Sequence, residues 1–245
     1  MDNLLLWFND FKAEFVLNFI EKDRWKFITT GLQNTLIITL FSLILGVALG
    51  VIIAIVRSSY DKTSTDMKSG FKKALFSIVN FICKIYLTVI RGTPVVVQLM
   101  IMYYIIFASS RNSLMVAVIA FGINSGAYVA EIVRSGIMSI DEGQFEAGRS
   151  LGFDYKQTMW YIIIPQAFKN ILPALANEFI VLLKETSVAG YVTIRDLTMG
   201  GNIIRAATYS PFLPLIAVAL IYLVLVIFFT QLVGILERRL RNSER

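Results

Sequence analysis

An uncharged apolar run over residues 35–56 constrains the fold of this chain more than any other feature. A helix that crosses the hydrocarbon core of a bilayer needs about 20 apolar residues, and this run is long enough. It follows Trp25, a residue type common at membrane interfaces, and it ends before Arg57. Within it, Gly46 and Gly50 are one helical turn apart, a spacing that favours close contact with another helix.

The composition agrees with a lipid environment. Apolar residues make up 56% of the 245 positions and charged residues only 16%, whereas soluble domains carry about 25% charged residues. We therefore predict an all-α integral membrane protein. The net charge of +6 is interpreted as lysine and arginine gathered on the cytoplasmic side, so no nucleic-acid partner is predicted.

Four further segments are predicted to cross the membrane, and the first of them follows a break in the chain. Gly92-Thr93-Pro94 predicts a kink, because proline removes a backbone donor and clashes with the preceding turn. Residues 74–90, which contain Lys84, are therefore placed as an interfacial segment ahead of this kink. Glu178 and Pro173 interrupt the fourth span. The five predicted spans are residues 33–56, 92–110, 112–134, 170–190 and 211–236.

The distribution of lysine and arginine sets the predicted orientation. Residues 57–73 hold five basic residues, residues 134–169 hold four, and the chain beyond Glu237 holds four. The opposite side receives residues 1–30, in which four basic residues are balanced by five acidic ones. Because cytoplasmic connections are enriched in lysine and arginine, the N-terminus is predicted outside and the C-terminus in the cytoplasm. The polar loop 141–169 and the tail 240–245 are then cytoplasmic.

Residues 1–30 are predicted to form an external or interfacial amphipathic segment. Their apolar residues recur mostly at spacings of three and four, which is typical of one helical face. These residues are Leu4, Trp7, Phe8, Phe11, Phe15 and Phe19. Such a helix can lie in the membrane interface with its rings at headgroup depth. A loosely ordered leader is the alternative interpretation.

The polar loop 141–169 is predicted to contain two short helices. Gly152 would end the first in a left-handed conformation, Asp154 would cap the second, and Pro165 would end it. The second helix is rich in large apolar and aromatic residues that two short helices cannot bury. These are Phe153, Met159, Trp160 and Tyr161. The loop is therefore expected to bind a partner surface or to lie on the membrane.

The same loop carries a specific spacing of residues. Glu146-Ala147-Gly148 is followed by Gly152 after three residues, and then by Ile162 and Ile164-Pro165. This spacing resembles the EAA loop of binding-protein-dependent ABC importer permeases, with Gly148 in place of the usual third alanine. Other segments resemble the polar amino acid branch of that family, namely residues 91–99, 124–137, 177–179, 182–187 and 236–239. The resemblance covers residues 31–239.

The resemblance implies a type I ABC importer permease fold and a division of labour. In this family two permease subunits form the translocation pathway, two cytoplasmic ATPases bind the EAA loops, and an external binding protein delivers the substrate. The implied substrate is a polar amino acid, basic or neutral, of the arginine, histidine, lysine, glutamine or cystine type. The implied location is the cytoplasmic membrane of a bacterium or archaeon. The particular amino acid, and whether the two permease subunits are identical, stay open.

The chain itself is not expected to hydrolyse ATP. No glycine is followed by lysine, so the phosphate-binding loop of ATPases is missing, and no cofactor is expected on this chain. The resemblance makes Glu146 the polar anchor on the ATPase, Ala147 and Gly148 the close-contact surface, and Gly152 the hinge. Ile162 and Pro165 complete the motif. Closure of the ATPases would carry this loop along and tilt the attached spans.

Ionisable residues at membrane depth are costly and are the remaining functional candidates. They are Arg91, Glu131, Arg134, Glu178, Lys184 and Glu185. Glu131 shares one helix face with Asn124 and Tyr128. Its carboxylate either holds an ammonium or guanidinium group of the substrate or pairs with Arg134 or a basic residue of another span.

The other candidates receive pathway or structural roles. Lys184 and Glu185 form either a gate or a pair at the seam between two permease subunits. Gln98 and Tyr103 are further pathway candidates. The structural or gating candidates are Arg91, which is predicted to be an anchor between helices, with Gly92, Thr93, Pro94, Arg134 and Glu178.

Two other classes of function compete with this interpretation. A secondary transporter or channel that works without ATP is the alternative, and it would move solute as the purified chain alone. An enzyme acting on lipid has little support, because the chain has no histidine and a single cysteine, Cys83. Histidine is the commonest general base and zinc ligand, so no catalytic or metal-binding residue is assigned.

Overall fold

The computed structural model describes residues 2–64, 67 and 70–242, which form helices joined by short connections. The fold of this described part is all-α, as predicted. Its α-helices are α1 (Asp2–Phe15), α2 (Trp25–Thr63), α3 (Phe71–Gly92), α4 (Val95–Ile101), α5 (Ser113–Met138), α6 (Glu142–Ser150), α7 (Tyr155–Thr158), α8 (Ile164–Glu185), α9 (Leu197–Thr208) and α10 (Phe212–Asn242). Residues 243–245 of the predicted tail lie outside the described residues, as do the side chains of Leu4 and Trp7 in the predicted N-terminal stripe.

Helices α2 and α5 pack directly against each other through small residues. A Cβ atom built on Gly50 would lie 2.6 Å from Val129 Cγ1, and one built on Gly46 would lie 3.0 Å from Ser125 Cβ. The predicted helix contact at Gly46 and Gly50 is therefore confirmed. Residue numbers rise together along the two helices at this contact, so α2 and α5 run parallel.

Helix α5 lies at the centre of the fold and α10 at its outside. In the most apolar stretch of each helix, 67% of α5 is buried but only 17% of α10. The outward side chains of α10 are large and apolar, and they include Leu220, Leu223, Val224 and Phe228. A long helix with an uncovered apolar surface suits the hydrocarbon core of a bilayer.

The segment before the second predicted span is a long helix. Residues 74–90 are predicted to lie in the interface, and α3, which covers them without interruption, is long and apolar enough to cross a membrane. The exposed Lys84 does not end α3, because a lysine stem can extend along apolar surface towards the headgroups. The break itself lies where it was predicted, since Thr93 is extended with φ −123° and ψ 147°.

Helix length and composition give four candidate spans among the described residues, where the sequence predicted five. They are α2, α3, α5 and α10, while Val95–Ile106 is a shorter apolar segment. Helix α8, which corresponds to the predicted fourth span, is not among them. It carries Pro173 inside the helix and the buried carboxyl group of Glu178.

The N-terminal segment is tied to the connection between α9 and α10. Asn18 is fully buried, and its Oδ1 accepts a hydrogen bond from Thr208 Oγ1 (2.8 Å). Its Nδ2 donates to the carbonyl oxygen of Glu14 (2.8 Å). Phe8 and Phe11 of α1 are exposed. These contacts favour the amphipathic helix over the loosely ordered leader.

Candidate functional site

The hairpin, defined here as residues 142–163, begins and turns through local capping signals. Asp141 caps α6, because its Oδ1 accepts a hydrogen bond from the Gly143 amide (2.7 Å). Gly152 follows α6 with φ +81°, the left-handed conformation that glycine adopts without strain. Asp154 and Gln157 form a capping box at the start of α7. The predicted turn at Gly152 and cap at Asp154 are both confirmed.

Pro165 does not end the second helix of the hairpin, so that prediction was wrong. Helix α7 continues through a π-helical turn, Met159–Ile163, into α8, whose first turn contains Pro165. The wider π turn leaves room for the proline ring. Proline is also tolerated in the first turn of a helix, because the backbone N–H that it lacks would have no partner within the helix there. The hairpin therefore leads directly into α8.

Gly148 faces the inside of the hairpin, which differs from its predicted place on the contact surface. A Cβ atom on Gly148 would lie 2.6 Å from Thr158 Cγ2 and 3.2 Å from Ile162 Cδ1. Gly148 is buried, whereas Glu146 and Ala147 are exposed. Glycine at this position lets α6 approach the second helix closely, and the outward surface left for a partner begins at Glu146 and Ala147.

The hairpin also contacts the C-terminal end of α2. Lys62 Nζ lies 2.9 Å from Glu142 Oε1 and 4.6 Å from the centre of the Phe145 ring. The hydrogen bond from Lys62 lowers the pKa of the Glu142 carboxyl group. Burial raises the pKa of the Tyr155 hydroxyl group. Phe145 also packs against an apolar cluster that includes Ala54 of α2.

Glu131 of α5 is paired with two arginines. Arg134 Nη2 donates a hydrogen bond to Glu131 Oε1 (2.7 Å), and Arg91 Nη1 lies 3.8 Å from Glu131 Oε2. The arrangement corresponds to the internal pairing that the sequence left as one of two alternatives. Arg91 joins α3 to α5 in this way, and its guanidinium carbon lies 5.8 Å from the centre of the Tyr128 ring.

An open cleft of about 490 Å³ lies beside this ion-pair cluster. Its polar and charged lining residues are Arg91, Tyr128, Glu131, Ser135, Ser139, Asn170 and Glu178. Glu178 is buried, and its Oε1 accepts a hydrogen bond from Ser125 Oγ (2.8 Å). The cleft thus brings together predicted candidates from α3, α5 and α8.

A second polar group surrounds the break after α3. Gln98 Nε2 donates hydrogen bonds to the Ile90 carbonyl oxygen and to Thr93 Oγ1, both at 2.8 Å. Asn124 Nδ2 donates to Gln98 Oε1 (2.9 Å). Gln98 thus binds backbone oxygen that the interrupted helix leaves free, beside the turn formed by Gly92, Thr93 and Pro94.

The remaining predicted candidates lie apart from the cleft lining. Tyr103 OH is 3.5 Å from Thr193 Oγ1, in the connection between α8 and α9. Lys184 is exposed and Glu185 is half-buried where α8 ends. The structure does not bring these three residues to the Glu131 cluster.

Sequence reasoning missed the contacts that link distant parts of the chain. Lys62 was not singled out, and neither was Ser125 or Tyr86, whose hydroxyl donates to the Ile123 carbonyl oxygen (2.5 Å). No local sequence pattern relates Lys62 to Glu142. Of the missed residues, only Ser125 had a sequence signal, because the small residues around it indicate close helix packing.

The family of this chain follows from a sequence comparison. The model of a family described as "Binding-protein-dependent transport system inner membrane component" matches residues 70–242, which include the hairpin and the cleft. The chain belongs to this family. It is therefore an inner-membrane permease subunit of an ATP-driven importer, in which the ATPase is a separate partner.

Named relatives of the permease agree with this placement. It is 38% identical over 221 residues to the arginine transport system permease protein ArtQ of Bacillus subtilis, covering 89% of this chain and 94% of that one. It is 34% identical over 209 residues to the glutamine transport system permease protein GlnP of Escherichia coli, covering 83% and 90%. Both relatives match nearly their full length.

Solved structures show the same fold. A crystal structure of an amino acid ABC transporter with histidines contains a chain that is 41% identical, with a TM-score of 0.77, covering 87% of this chain and 94% of that one. The MetNI methionine ABC transporter in an inward-facing conformation aligns with a TM-score of 0.74 at 18% identity, covering 90% and 99%. The latter similarity is one of fold alone.

Proposed function

We propose that the permease carries a polar amino acid, basic or neutral, across the cytoplasmic membrane. The observation that carries the proposal is the similarity over almost the whole chain to a named arginine permease, together with the exposed Glu146 and Ala147 of the hairpin. Two permease subunits, identical or different, would form the pathway. Two cytoplasmic ATPases would bind the hairpins, and an external binding protein would deliver and select the substrate.

Five crossings are the membrane topology that the helix packing supports best. Because α2 and α5 run parallel, the chain between them makes one net crossing, and α3 with Val95–Ile106 supplies it as a broken span. Helices α5 and α8 run antiparallel, since Glu178 lies at Ser125 and Ile171 lies at Gly136. With α8 and α10 as the last two spans, the N-terminus is outside and the C-terminus is in the cytoplasm, as the basic residues favour.

The pathway is proposed to pass the cleft between α3, α5 and α8. Glu131 cannot offer a free carboxylate while both arginines bind it, so we assign it to holding Arg91 and Arg134 in place. Arg91 and Tyr128 then face the cleft as candidate contacts for a substrate carboxylate and side chain. Gln98, Asn124, Tyr103, Lys184 and Glu185 stay secondary pathway candidates.

The test is uptake of labelled arginine, glutamine, histidine and cystine by the permease reconstituted with its ATPase and binding protein. ATP-dependent uptake of at least one of them is expected, and the permease without the ATPase should accumulate none. Glu146→Lys should abolish uptake while the protein stays in the membrane, because it reverses the charge of the exposed anchor on the hairpin. Glu14→Lys, at an exposed site on α1 outside the segments that resemble the family, is the control. Normal uptake by Glu146→Lys would refute the assignment of the hairpin.

A further inference from the structure

The hairpin is joined covalently to a membrane helix at each end. Residues 139–141 link α5 to the start of α6, and the second helix of the hairpin continues into α8 through the π-helical turn Met159–Ile163. The hairpin also contacts α2, whose last turn carries Lys62. The covalent connections move α5 and α8 with the hairpin, whereas α2 follows only through non-covalent contacts.

The contact with α2 is a small cluster in which Lys62 is held from two sides. Its ammonium group lies 2.9 Å from a carboxylate oxygen of Glu142 and 4.6 Å from the Phe145 ring centre, within the range of a cation–π interaction. We call Lys62, Glu142 and Phe145 the α2 clamp. Both partners belong to α6, so the clamp joins one helix of the hairpin to one long span.

Apolar contacts back the clamp and extend it. Phe145 packs against the cluster that contains Ala54 of α2, Val133 of α5 and Ile163 at the end of the hairpin. Tyr155 of α7 is half-buried and lines the same cavities as Lys62. The hairpin therefore contacts the C-terminal half of α2, in addition to its covalent links to α5 and α8.

The clamp is poorly placed to stabilise the fold. The Glu142 side chain is 84% exposed and that of Lys62 is 41% exposed, and ion pairs in water contribute little to stability. What the clamp fixes is the position of α6 relative to the end of α2. Helix α2 in turn packs directly on α5 at Gly46 and Gly50, so its motion reaches the helix that carries Glu131.

We propose that Lys62 is a positioning residue for energy coupling, because it transfers movement of the hairpin to α2 and through α2 to α5. The inference rests on the proposed function, since it assumes that an ATPase moves the hairpin. It adds an input through α2 to the covalent ones through α5 and α8. Glu142 and Phe145 are the two groups through which Lys62 acts.

The test compares amino acid uptake with ATP hydrolysis in the reconstituted complex of permease, ATPase and binding protein. The variants are Lys62→Met, Lys62→Arg, Glu142→Gln and the double variant Lys62→Met with Glu142→Gln. Lys72→Met is the matched control, because Lys72 is an exposed lysine at the start of α3. Co-purification of the ATPase and the amount of permease in the membrane are measured for each variant.

Lys62→Met is expected to keep its ATPase and its ATP hydrolysis but to transport about fivefold less amino acid per ATP, the lower end of typical coupling effects. Lys62→Arg should retain most coupling, because it keeps the charge and the ring contact. Glu142→Gln should lose coupling in the same direction, and the double variant should be no worse than Lys62→Met alone, as for two residues that act through one contact.

Two results would overturn the inference. An unchanged ratio of uptake to hydrolysis in Lys62→Met would show that α2 needs no clamp. Loss of the ATPase from the Lys62→Met complex would show that Lys62 is a docking residue for the partner. Failure of the proposed function is distinguishable from both results, because the wild-type complex would then take up none of the labelled amino acids. In that case the inference about Lys62 would also be refuted.

Discussion

Replacing Gly148 by alanine should weaken the hairpin, although alanine is the better helix former and is usual at this position in the families that the loop resembles. The new methyl group would lie 2.6 Å from Thr158 Cγ2 and 2.7 Å from Thr158 Oγ1. Real Cβ atoms do not approach other atoms so closely. Thr158 must therefore move, or α6 must separate from α7.

The magnitude follows from three opposing contributions. Alanine gains up to about 1 kcal/mol in helix propensity over glycine. Overpacking of a filled site costs about 1–3 kcal/mol, and Thr158 has few alternative rotamers because it is β-branched. Moving its side chain also breaks the hydrogen bond from Thr158 Oγ1 to the Asp154 carbonyl oxygen (2.9 Å), which is worth about 1 kcal/mol. The net expectation is destabilisation of the hairpin by about 1–3 kcal/mol.

Hydrogen exchange measures this local effect directly. The Phe153 amide donates to the Gly148 carbonyl oxygen (3.1 Å), so its exchange reports opening of the hairpin turn. A loss of about 1.4 kcal/mol makes that exchange about tenfold faster. Thr158→Ala in the Gly148→Ala background removes the colliding atoms and should restore slower exchange. Gly234→Ala is the control, since nothing lies within 4 Å of its new Cβ atom. Slower exchange in Gly148→Ala alone would refute the steric argument.

Two further predictions concern the rest of the fold. Gly50→Ala should lower the melting temperature of the purified permease, because its Cβ atom would lie 2.8 Å from the Ala130 backbone nitrogen. Gly92→Ala is the control and should leave the melting temperature unchanged, because nothing lies within 4 Å of its new Cβ atom. Equal melting temperatures of the two variants would contradict the packing argument. Burial raises the pKa of Asp196, in the connection between α8 and α9, to about 6, so the folded state binds a proton more tightly than the unfolded state, and stability should fall as the pH rises from about 4 to about 6. Asp196→Asn keeps the cap on α9 and should flatten the melting temperature over this pH range, whereas an unchanged slope would assign the dependence to other groups.

The predictions that succeeded rest on residues whose effect is local. Gly152 specifies a turn through its own backbone, and Asp154 specifies a helix cap through its own side chain. Pro94 likewise acts locally, because it lies in the break between α3 and α4. The contact at Gly46 and Gly50 could be predicted because glycine spacing on one helix limits what can pack there, although the sequence did not name α5 as the partner.

The predictions that failed depend on context that the sequence does not display. Pro165 was predicted to end a helix, and that prediction failed because the sequence does not show the π-helical turn that precedes it. Lys84 favoured an interfacial placement of residues 74–90, although α3 as a whole is long and apolar enough to cross a membrane. The clamp at Lys62 depends on the folding of α6 back to the end of α2, which lies 80 residues earlier in the chain. Pairing of Glu131 with a basic residue of another helix was one of the two alternatives left open, and the choice of Arg91 depends on how α3 crosses α5.

The continuity of the hairpin with α8 gives the permease a lever arm. At 1.5 Å per residue, the helical rod from Tyr155 to Glu185 is roughly 45 Å long. A rotation of about 10° at the hairpin would displace the far end of a straight rod of that length by about 8 Å. Pro173 divides the rod, so its two parts can tilt by different amounts. A small angular change at the hairpin, the proposed ATPase site, is thus enlarged, by length alone, before it reaches Lys184 and Glu185.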